Sequence, residues 1–218
     1  MYPVEHFPVL IVGLALFCGF TMLLAGYTSR RLPFFMSLAM NSVFLIMSLF
    51  ILDHVLTVGP IRYWLGGWRP PWGIEYVVDA MNAYLLIIVI SIVILGLIYS
   101  RGNVRHEIEE RKHVTFYTLV QLMAAGMYGI TVTGDLFNMF IWLEIASLTA
   151  YALIAVAGGR ALRPAYNYVI MGSIGAVLYI FGVGWIYSVT GTLNFADMRL
   201  LHPLVYDSRA VQMGFAMI

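Results

Sequence analysis

Long apolar stretches separated by short polar segments run through the whole chain. A transmembrane helix needs about 20 mostly apolar residues to cross roughly 30 Å of hydrocarbon. Six stretches meet that length, at positions 7–27, 33–55, 78–99, 114–133, 136–157 and 166–189. The pattern therefore predicts an all-α polytopic membrane protein with six complete transmembrane helices.

A seventh apolar stretch begins near Ala210 and reaches Ile218, the last residue of the sequence. We interpret it as the start of a seventh span. The last four carbonyls of a helix that stopped there would face lipid without hydrogen-bond partners. We therefore expect its end to be covered, either by the continuation of a longer chain or by another subunit.

The segment between the second and third stretches has a different pattern. It reads IRYWLGGWRPPWGIEYVVD and holds three Trp and two Tyr around the pair Gly66-Gly67. A Gly-Gly pair favours a tight hairpin turn, and aromatic side chains gather at the membrane surface. We expect a short hairpin on the outer face of the membrane, with a structural role.

Composition agrees with this class and excludes several functions. The mean hydropathy is +0.87, 61% of the residues are hydrophobic and 11% are charged, against about 25% charged residues in soluble domains. The net charge of +1 gives no reason to expect a nucleic-acid partner. Eight of the twelve Lys and Arg residues lie in the loops after the first, third and fifth stretches, which the positive-inside rule places in the cytoplasm. We expect a multi-pass protein of a prokaryotic plasma membrane.

Motifs for soluble-type chemistry are missing from the sequence. It has no Gly-rich phosphate loop, nucleophile elbow or His-x-x-x-His metal pair, and the single cysteine, Cys18, lies in an apolar stretch. No motif for nicotinamide, flavin, iron-sulfur or quinone binding is present either. We predict no cofactor and no metal in this chain, and we expect any electron transfer to occur in partner subunits.

Glu144 lies near the middle of FNMFIWLEIASLTAYALIAVA, an otherwise uncharged stretch. A carboxylate at that depth costs roughly 2.5 to 3.5 kcal/mol on insertion scales, and such residues usually mark functional sites. On the same helical face, Ser147 and Tyr151 could continue a line of hydrogen bonds and waters toward the cytoplasm. We predict that Glu144 is a proton carrier, with a hydrogen-bonded link between helices as the structural alternative.

Three other polar residues are weaker candidates. Asp135, in the connection TGDLFN, is predicted to cap the fifth helix and only secondarily to relay protons, because it lies about 13 Å and half a turn from Glu144. His113 opens the fourth helix and is a candidate for proton uptake from the cytoplasm, or simply a solvated histidine. Gln121 shares a stripe of the fourth helix with Thr118 and Tyr128, which either water-mediated contacts or packing would explain.

Two long segments resemble a known family. They are FYTLVQLMAAGMYGITVTGDLFNMFIWLEIASLTAYALIA and YNYVIMGSIGAVLYIFGVGWIYSVTGTLNFADM. They resemble the antiporter-like membrane subunits shared by Mrp-type Na⁺/H⁺ antiporters, group 4 membrane-bound hydrogenases and respiratory complex I. TGDLFN followed by FIWLE is most similar to the D-type subunit of Mrp antiporters and its hydrogenase counterparts. The resemblance extends over essentially the whole chain, including GGWRPPWGI and VDAMNA.

The resemblance implies one membrane domain over 1–218. Positions 1–77 hold the first two helices and the hairpin, 78–100 the third helix, and 113–218 the start of an antiporter-like repeat. It also implies that Glu144 pairs with a lysine on a seventh helix and that proton transfer continues through a second, inverted repeat. The sole lysine of the sequence, Lys112, lies in a predicted cytoplasmic loop. We expect another membrane subunit or a longer chain to supply the lysine and the second repeat.

Three functional interpretations follow. The first is a proton-translocating half-module that works with other membrane subunits in the lipid bilayer. The second is a non-conducting structural or assembly subunit of such a complex. The third, a self-contained channel or carrier, predicts ion flux from the purified chain alone, which we do not expect. The sequence leaves open whether Na⁺ is a second ion and whether the complex is an antiporter, a hydrogenase or a dehydrogenase.

Overall fold

The computed structural model describes residues 3–218, apart from the side chain of Arg105, and consists almost entirely of helices. The longer helices are α1 (Phe7–Thr28), α2 (Leu32–Thr57), α3 (Ala80–Glu107), α4 (His113–Val132), α5 (Leu136–Val156), α6 (Leu162–Thr190), α7 (Phe195–Val205) and α8 (Arg209–Met217). Two short strands, β1 (Ile61–Trp64) and β2 (Glu75–Val78), lie between α2 and α3. Helices α1 to α6 are each long and apolar enough to cross a membrane, which confirms the prediction of six spans.

Helix α3 differs from the predicted third span, 78–99, at both ends. It starts at Ala80 instead of 78, because Val78 belongs to β2 and the Asp79 side chain accepts a 2.9 Å hydrogen bond from the amide of Asn82. A side chain that accepts from the third following amide is an N-cap, and it fixes the first turn. The same helix runs to Glu107, beyond its apolar part, so its last turns project past the membrane-spanning segment.

Helix α4 lies at the centre of the bundle and packs against α1, α2, α3 and α5. Its contact with α5 is close because α4 presents glycine there. A Cβ atom at Gly129 would overlap the indole of Trp142, and a Cβ atom at Gly126 would lie 2.8 Å from the backbone nitrogen of Ala146. Small residues allow two helix backbones to approach in a membrane. The Trp142 and Ala146 face of α5 is therefore turned toward α4.

The connections alternate between two ends of the bundle. At one end, Arg30 of the α1–α2 connection pairs with Glu110 at 3.3 Å, and Lys112 Nζ donates to the Val156 carbonyl at 3.1 Å. We call this the basic end, defined by positions 29–31, 101–113 and 157–163. The opposite end carries β1, β2 and the α4–α5 and α6–α7 connections. We call it the hairpin end.

Strands β1 and β2 pair antiparallel, from Ile61 opposite Val78 to Trp64 opposite Glu75. The connection between them spans positions 65–74, so the expectation of a two-residue Gly66-Gly67 turn is wrong. Both glycines have positive φ, 67° and 79°, but they lie in a short 3₁₀ turn that begins the longer connection. In the register of these strands Gly66 would face Gly73 and Gly67 would face Trp72, and the 3₁₀ turn at Leu65–Gly67 ends the pairing before those positions.

Helix α7 is absent from the pattern of predicted spans because it is short and amphipathic. Asn194 caps it, and its side-chain oxygen accepts from the amides of Ala196 at 2.9 Å and Asp197 at 3.2 Å. Helix α8 occupies the stretch in which we expected a seventh span to start, and it packs against α6. Gly182 and Gly214 make this contact close, since a Cβ atom at either would lie under 3 Å from the carbonyl oxygen of the other.

Candidate proton-carrying site

Glu144 lies near the middle of α5. The helix begins after its N-cap Asp135 and ends at Val156. At 1.5 Å per residue, Glu144 is roughly 13 Å along the axis from Asp135 and roughly 18 Å from Val156. The described fold therefore places this carboxylate deep within a helix long and apolar enough to span a membrane.

The Glu144 side chain is half-buried and carries a carboxylate that no described group neutralises. Among the described side chains it has no hydrogen-bond or ion-pair partner. Its backbone carbonyl accepts a 3.3 Å bond from the Ser147 hydroxyl, so Ser147 serves the backbone and not the carboxylate. A charged group without a partner is costly at membrane depth, so a partner or a proton is needed there.

One face of α5 beside Glu144 is uncovered by the described chain. Phe137, Ile141 and Leu148 are 43%, 37% and 53% exposed, and we call these three residues the open stripe. At 100° per residue they lie within about 60° of Glu144 around the helix axis. Trp142 and Ala146, which face α4, lie on the other side of the helix. Glu144 is thus placed at the margin of a surface that faces away from the bundle.

On its other side Glu144 borders the contact between α5 and α6. Phe140 stacks on Tyr179 with ring centroids 5.9 Å apart, and Tyr151 meets Tyr168 edge-on at 5.5 Å. A Cβ atom at Gly172 of α6 would overlap the Tyr151 hydroxyl, so the glycine leaves room for it. Tyr151 shares the face of Glu144 but makes no described hydrogen bond to it. The line of hydrogen bonds expected from the sequence would need water between these groups.

Asp135 is the N-cap of α5. Its Oδ1 accepts a 2.7 Å hydrogen bond from the Asn138 amide, and the side chain is buried. Burial raises the pKa of Asp135 above its usual value, and the amides of Asn138 and Phe137 offset part of that increase. The distance of roughly 13 Å along the axis separates this cap from Glu144, so the two carboxylates do not form one site.

A second buried carboxylate, Glu75 of β2, is absent from the residues that the sequence singles out. It is 2% exposed and accepts hydrogen bonds from Asn194 Nδ2 at 2.8 Å and Trp64 Nε1 at 3.3 Å, with Arg62 at 3.7 Å. Its backbone carbonyl accepts from the Gly134 amide at 2.8 Å. Glu75 thereby joins the hairpin to the connections that precede α5 and α7. An acidic residue within an otherwise apolar strand was the available signal.

Gln121 lies on the face of α4 that meets α2. Its Oε1 accepts hydrogen bonds from Ser37 at 2.7 Å and Asn41 at 2.8 Å, and Tyr128 donates to Asn41 at 2.5 Å. These residues form a fully buried polar cluster without any carboxylate or cation among them. The structure does not bring Gln121 to Glu144, and it gives Gln121 a packing role between two helices.

His113 is the first residue of α4, at the basic end. One of its ring nitrogens, Nε2, lies 2.9 Å from the Ile108 carbonyl oxygen, which it can bond only as a donor. Lys112, next to it, reaches the last turn of α5, so His113 lies near the level of Val156. It is therefore separated from Glu144 by roughly 18 Å of membrane depth.

Comparisons with known proteins point to one group of membrane subunits. A family model described as NADH:quinone oxidoreductase/Mrp antiporter, TM matches residues 133–218. The N subunit of NADH-quinone oxidoreductase from Desulforudis audaxviator is 38% identical over 216 residues, which are 98% of this chain and 42% of that protein. The D-type component of the Na⁺/H⁺ antiporter from Bacillus subtilis is 34% identical over 165 residues, or 75% of this chain and 33% of that protein.

The fold is also similar to a subunit of the archaeal membrane-bound sulfane sulfur reductase. The two superpose with a TM-score of 0.89 at 27% sequence identity, over 97% of this chain and 43% of the other. The chain thus spans less than half the length of each of these relatives. The family match begins at Thr133 and includes α5 with Glu144.

Proposed function

The chain belongs to the antiporter-like membrane subunits of the NADH:quinone oxidoreductase and Mrp antiporter family, and from that premise we propose that it is a proton-translocating module of a larger membrane complex. Glu144 is the group that takes up and releases the proton. The relatives are subunits of multi-subunit membrane systems, so the working unit includes other membrane subunits. Bacterial and archaeal relatives support a location in a prokaryotic plasma membrane.

One observation carries this proposal: the Glu144 carboxylate lies in mid-span without a described partner, at the margin of the open stripe. A purely structural glutamate would be expected to hydrogen-bond across helices, as Glu75 bonds across connections at the hairpin end. A carboxylate that carries protons needs surroundings in which both its ionised and its protonated form can be populated. The Glu144 carboxylate has no described partner and lies beside the open stripe. Its surroundings meet that condition once an element of another segment packs on the stripe.

The partner of Glu144 in this scheme is a cation on an element that covers the open stripe. Lys112 cannot serve, because its ammonium group bonds the Val156 carbonyl at the basic end, roughly 18 Å away. Among the described side chains no arginine contacts Glu144 either, so we infer that the cation belongs to a segment outside this sequence, in a partner subunit or in a longer form of the chain. Its approach holds Glu144 ionised, and its withdrawal favours protonation.

In this scheme the other polar candidates pass protons between Glu144 and the two ends of the bundle. Tyr151 and Ser147 extend the face of Glu144 toward the basic end, with water completing the hydrogen bonds. His113 is the candidate for proton uptake at that end. Asp135 is a secondary relay toward the hairpin end, and its capping bond gives it a sufficient structural role on its own. Protons are the transported ion, and Na⁺ is the candidate second ion.

Replacement of Glu144 by Gln in the assembled complex tests the proposal. Proton transport into inverted membrane vesicles, followed with a pH-sensitive dye, should fall roughly 10²-fold because the carrier group is lost. Glu107→Gln, which removes an exposed carboxylate at the end of α3, is the matched control and should transport normally. Assembly of both variants is checked by native electrophoresis. Normal transport by a fully assembled Glu144→Gln complex would favour the structural-subunit interpretation instead.

A further inference from the structure

Three arginines from two segments meet at the basic end. Arg30, Arg31 and Arg101 line a cavity of about 90 Å³ together with Phe34, Phe35, His113 and Tyr117. The cavity adjoins a wider one of about 410 Å³ that Ser29, Glu110 and His113 also line. We propose that the smaller cavity, called the cavity below, binds the phosphate of an anionic phospholipid headgroup.

The positive charges that line the cavity are only partly balanced by carboxylates of the described chain. Arg30 is paired with Glu110 at 3.3 Å, whereas Arg31 and Arg101 have no carboxylate partner within residues 3–218. The nearby Glu109 is bonded to Arg111, which lowers the pKa of Glu109 and keeps that carboxylate occupied. Two uncompensated guanidinium groups around one small cavity repel each other. An anion placed between them would satisfy both, and guanidinium groups bind phosphate oxygens in pairs.

The arginines of the cavity lie at one end of the membrane-spanning helices. The Arg101 guanidinium lies 5.4 Å from the ring of Phe34 and 5.6 Å from that of Phe35, in the first turn of α2. Cation-π contacts of this kind hold the group over an aromatic surface. Both rings and Arg101 lie where α2 and α3 reach the end of their apolar stretches. That level of a spanning helix is where lipid headgroups lie, so the cavity opens at the depth of their phosphates.

A tyrosine adds a hydroxyl group beside the arginines of the cavity. Tyr117 lines the same cavity and is 5% exposed, and its ring meets Phe34 edge-on at 5.4 Å. In the part of the chain that the structure describes, its hydroxyl has no hydrogen-bond partner. This oxygen is not among the buried side-chain atoms that lack a partner in the described chain, so it reaches accessible space and can donate to an oxygen of a bound anion. Tyr117 therefore adds a specific contact to the two free arginines.

The surroundings favour a lipid over free phosphate. Phe35 lines the cavity, and Ile98 lies one turn into the membrane from Arg101 on the same side of α3; the two are 49% and 55% exposed. Acyl chains attached to a phosphate in the cavity would cover these apolar side chains. Free phosphate would leave them uncovered. A phosphate group with attached apolar chains thus matches both the small polar cavity and the exposed apolar surface beside it.

Lipid titration of the purified complex, followed by native mass spectrometry, tests the proposal. The probes are phosphatidylglycerol, phosphatidylcholine and inorganic phosphate, and each is first added alone. Inorganic phosphate is then also added in competition with lipid. Phosphatidylglycerol should bind the wild-type protein in preference to phosphatidylcholine, and millimolar inorganic phosphate should not displace it. In the double variant Arg31→Gln/Arg101→Gln, binding should weaken about fivefold for each arginine removed.

Two further double variants distinguish a specific site from a generally basic surface. Arg160→Gln/Arg163→Gln removes two exposed arginines from the same end of the bundle but outside the cavity, and it should keep wild-type binding. Arg31→Lys/Arg101→Lys keeps both charges but loses the paired guanidinium contacts, so it should bind more weakly than the wild type and more tightly than the glutamine variant; binding equal to the wild type would indicate a generally basic surface. Equal loss in the Arg160/Arg163 and Arg31/Arg101 glutamine variants would overturn the proposal, as would equal binding of phosphatidylcholine or displacement of the lipid by inorganic phosphate.

Discussion

The side-chain amide of Asn194 donates a 2.8 Å hydrogen bond to the carboxylate of Glu75, which lies 119 residues earlier in the chain. Backbone bonds at the same place link Gly134 to Glu75, Leu136 to Leu193 and Phe195 to Gly134. The hairpin, the start of α5 and the start of α7 are therefore held as one unit. This unit therefore fixes the start of α5, and with it the depth at which Glu144 lies along that helix.

Glu75→Ala should lower the free energy of unfolding by about 3 kcal/mol. The substitution leaves the buried side-chain amide of Asn194 and the partly exposed indole N–H of Trp64 without an acceptor, and Arg62 without its carboxylate. Thermal unfolding of the detergent-solubilised protein measures the change. Glu107→Gln is the control and should unfold as the wild type does. Equal stability of the two variants would show that the Glu75 contacts do not hold the hairpin end together.

Asp135 offers a separate test, because a cap and a titrating group respond differently to substitution. Asp135→Ala removes the oxygen that accepts from the Asn138 amide and should cost about 1 kcal/mol. Asp135→Asn keeps an acceptor oxygen at that place and should be nearly neutral. Chemical unfolding of both variants in detergent measures the difference. If both lost the same stability, the capping bond would not be the main contribution of Asp135.

The pH dependence of stability should also differ between wild type and Asp135→Asn. Burial raises the folded pKa of Asp135 above its usual value of 3.8, so folding favours the protonated carboxyl. That contribution is fully present below 3.8 and is lost as the pH rises through the folded pKa. The asparagine variant has no such loss, so it should gain stability relative to wild type across this pH range. Melting temperatures measured over that range would reveal a constant difference if Asp135 did not titrate.

Local features of the hairpin end could be predicted from the sequence, and long-range ones could not. The cap by Asp135 depends on neighbours within three residues, and TGDLFN contains all of them. The Glu75–Asn194 contact depends on a fold that brings distant segments together. The same holds for Gln121, whose partners Ser37 and Asn41 lie 84 and 80 residues away. The sequence shows the polar stripe of Gln121 on α4, but it does not show that this stripe faces α2.

Periodicity and apolar length explain which helices were found. Long spans are recognisable by uninterrupted apolar residues, so α1 to α6 were predicted with shifts of a few residues at most of their ends. Helix α7 has eleven residues and includes Pro203, and it is too short and too polar to stand out as a span. The cap Asn194 with Asp197 three residues later was a usable start signal.

The close contact of α4 with α5 predicts a strong effect of a small substitution. Gly129→Ala should destabilise the protein by about 1 to 3 kcal/mol, because the added methyl group overlaps the Trp142 indole. Gly96→Ala on α3 is the matched control, since a Cβ atom there meets nothing within 4 Å. That variant should be neutral or slightly stabilising. Chemical unfolding of both variants in detergent gives the comparison, and similar stability of the two would contradict the packing described for α4 and α5.

Infrared difference spectroscopy of the assembled complex tests the central claim most directly, because it detects the protonated carboxyl group itself. Spectra recorded with and without an imposed proton gradient should contain a carboxyl band that disappears in Glu144→Gln and persists in Glu107→Gln. Glu144→Asp should shift the band and retain part of the transport, since a carboxyl group remains on the same face of α5. A carboxyl band that is unchanged in Glu144→Gln would contradict the assignment of Glu144 as the proton carrier.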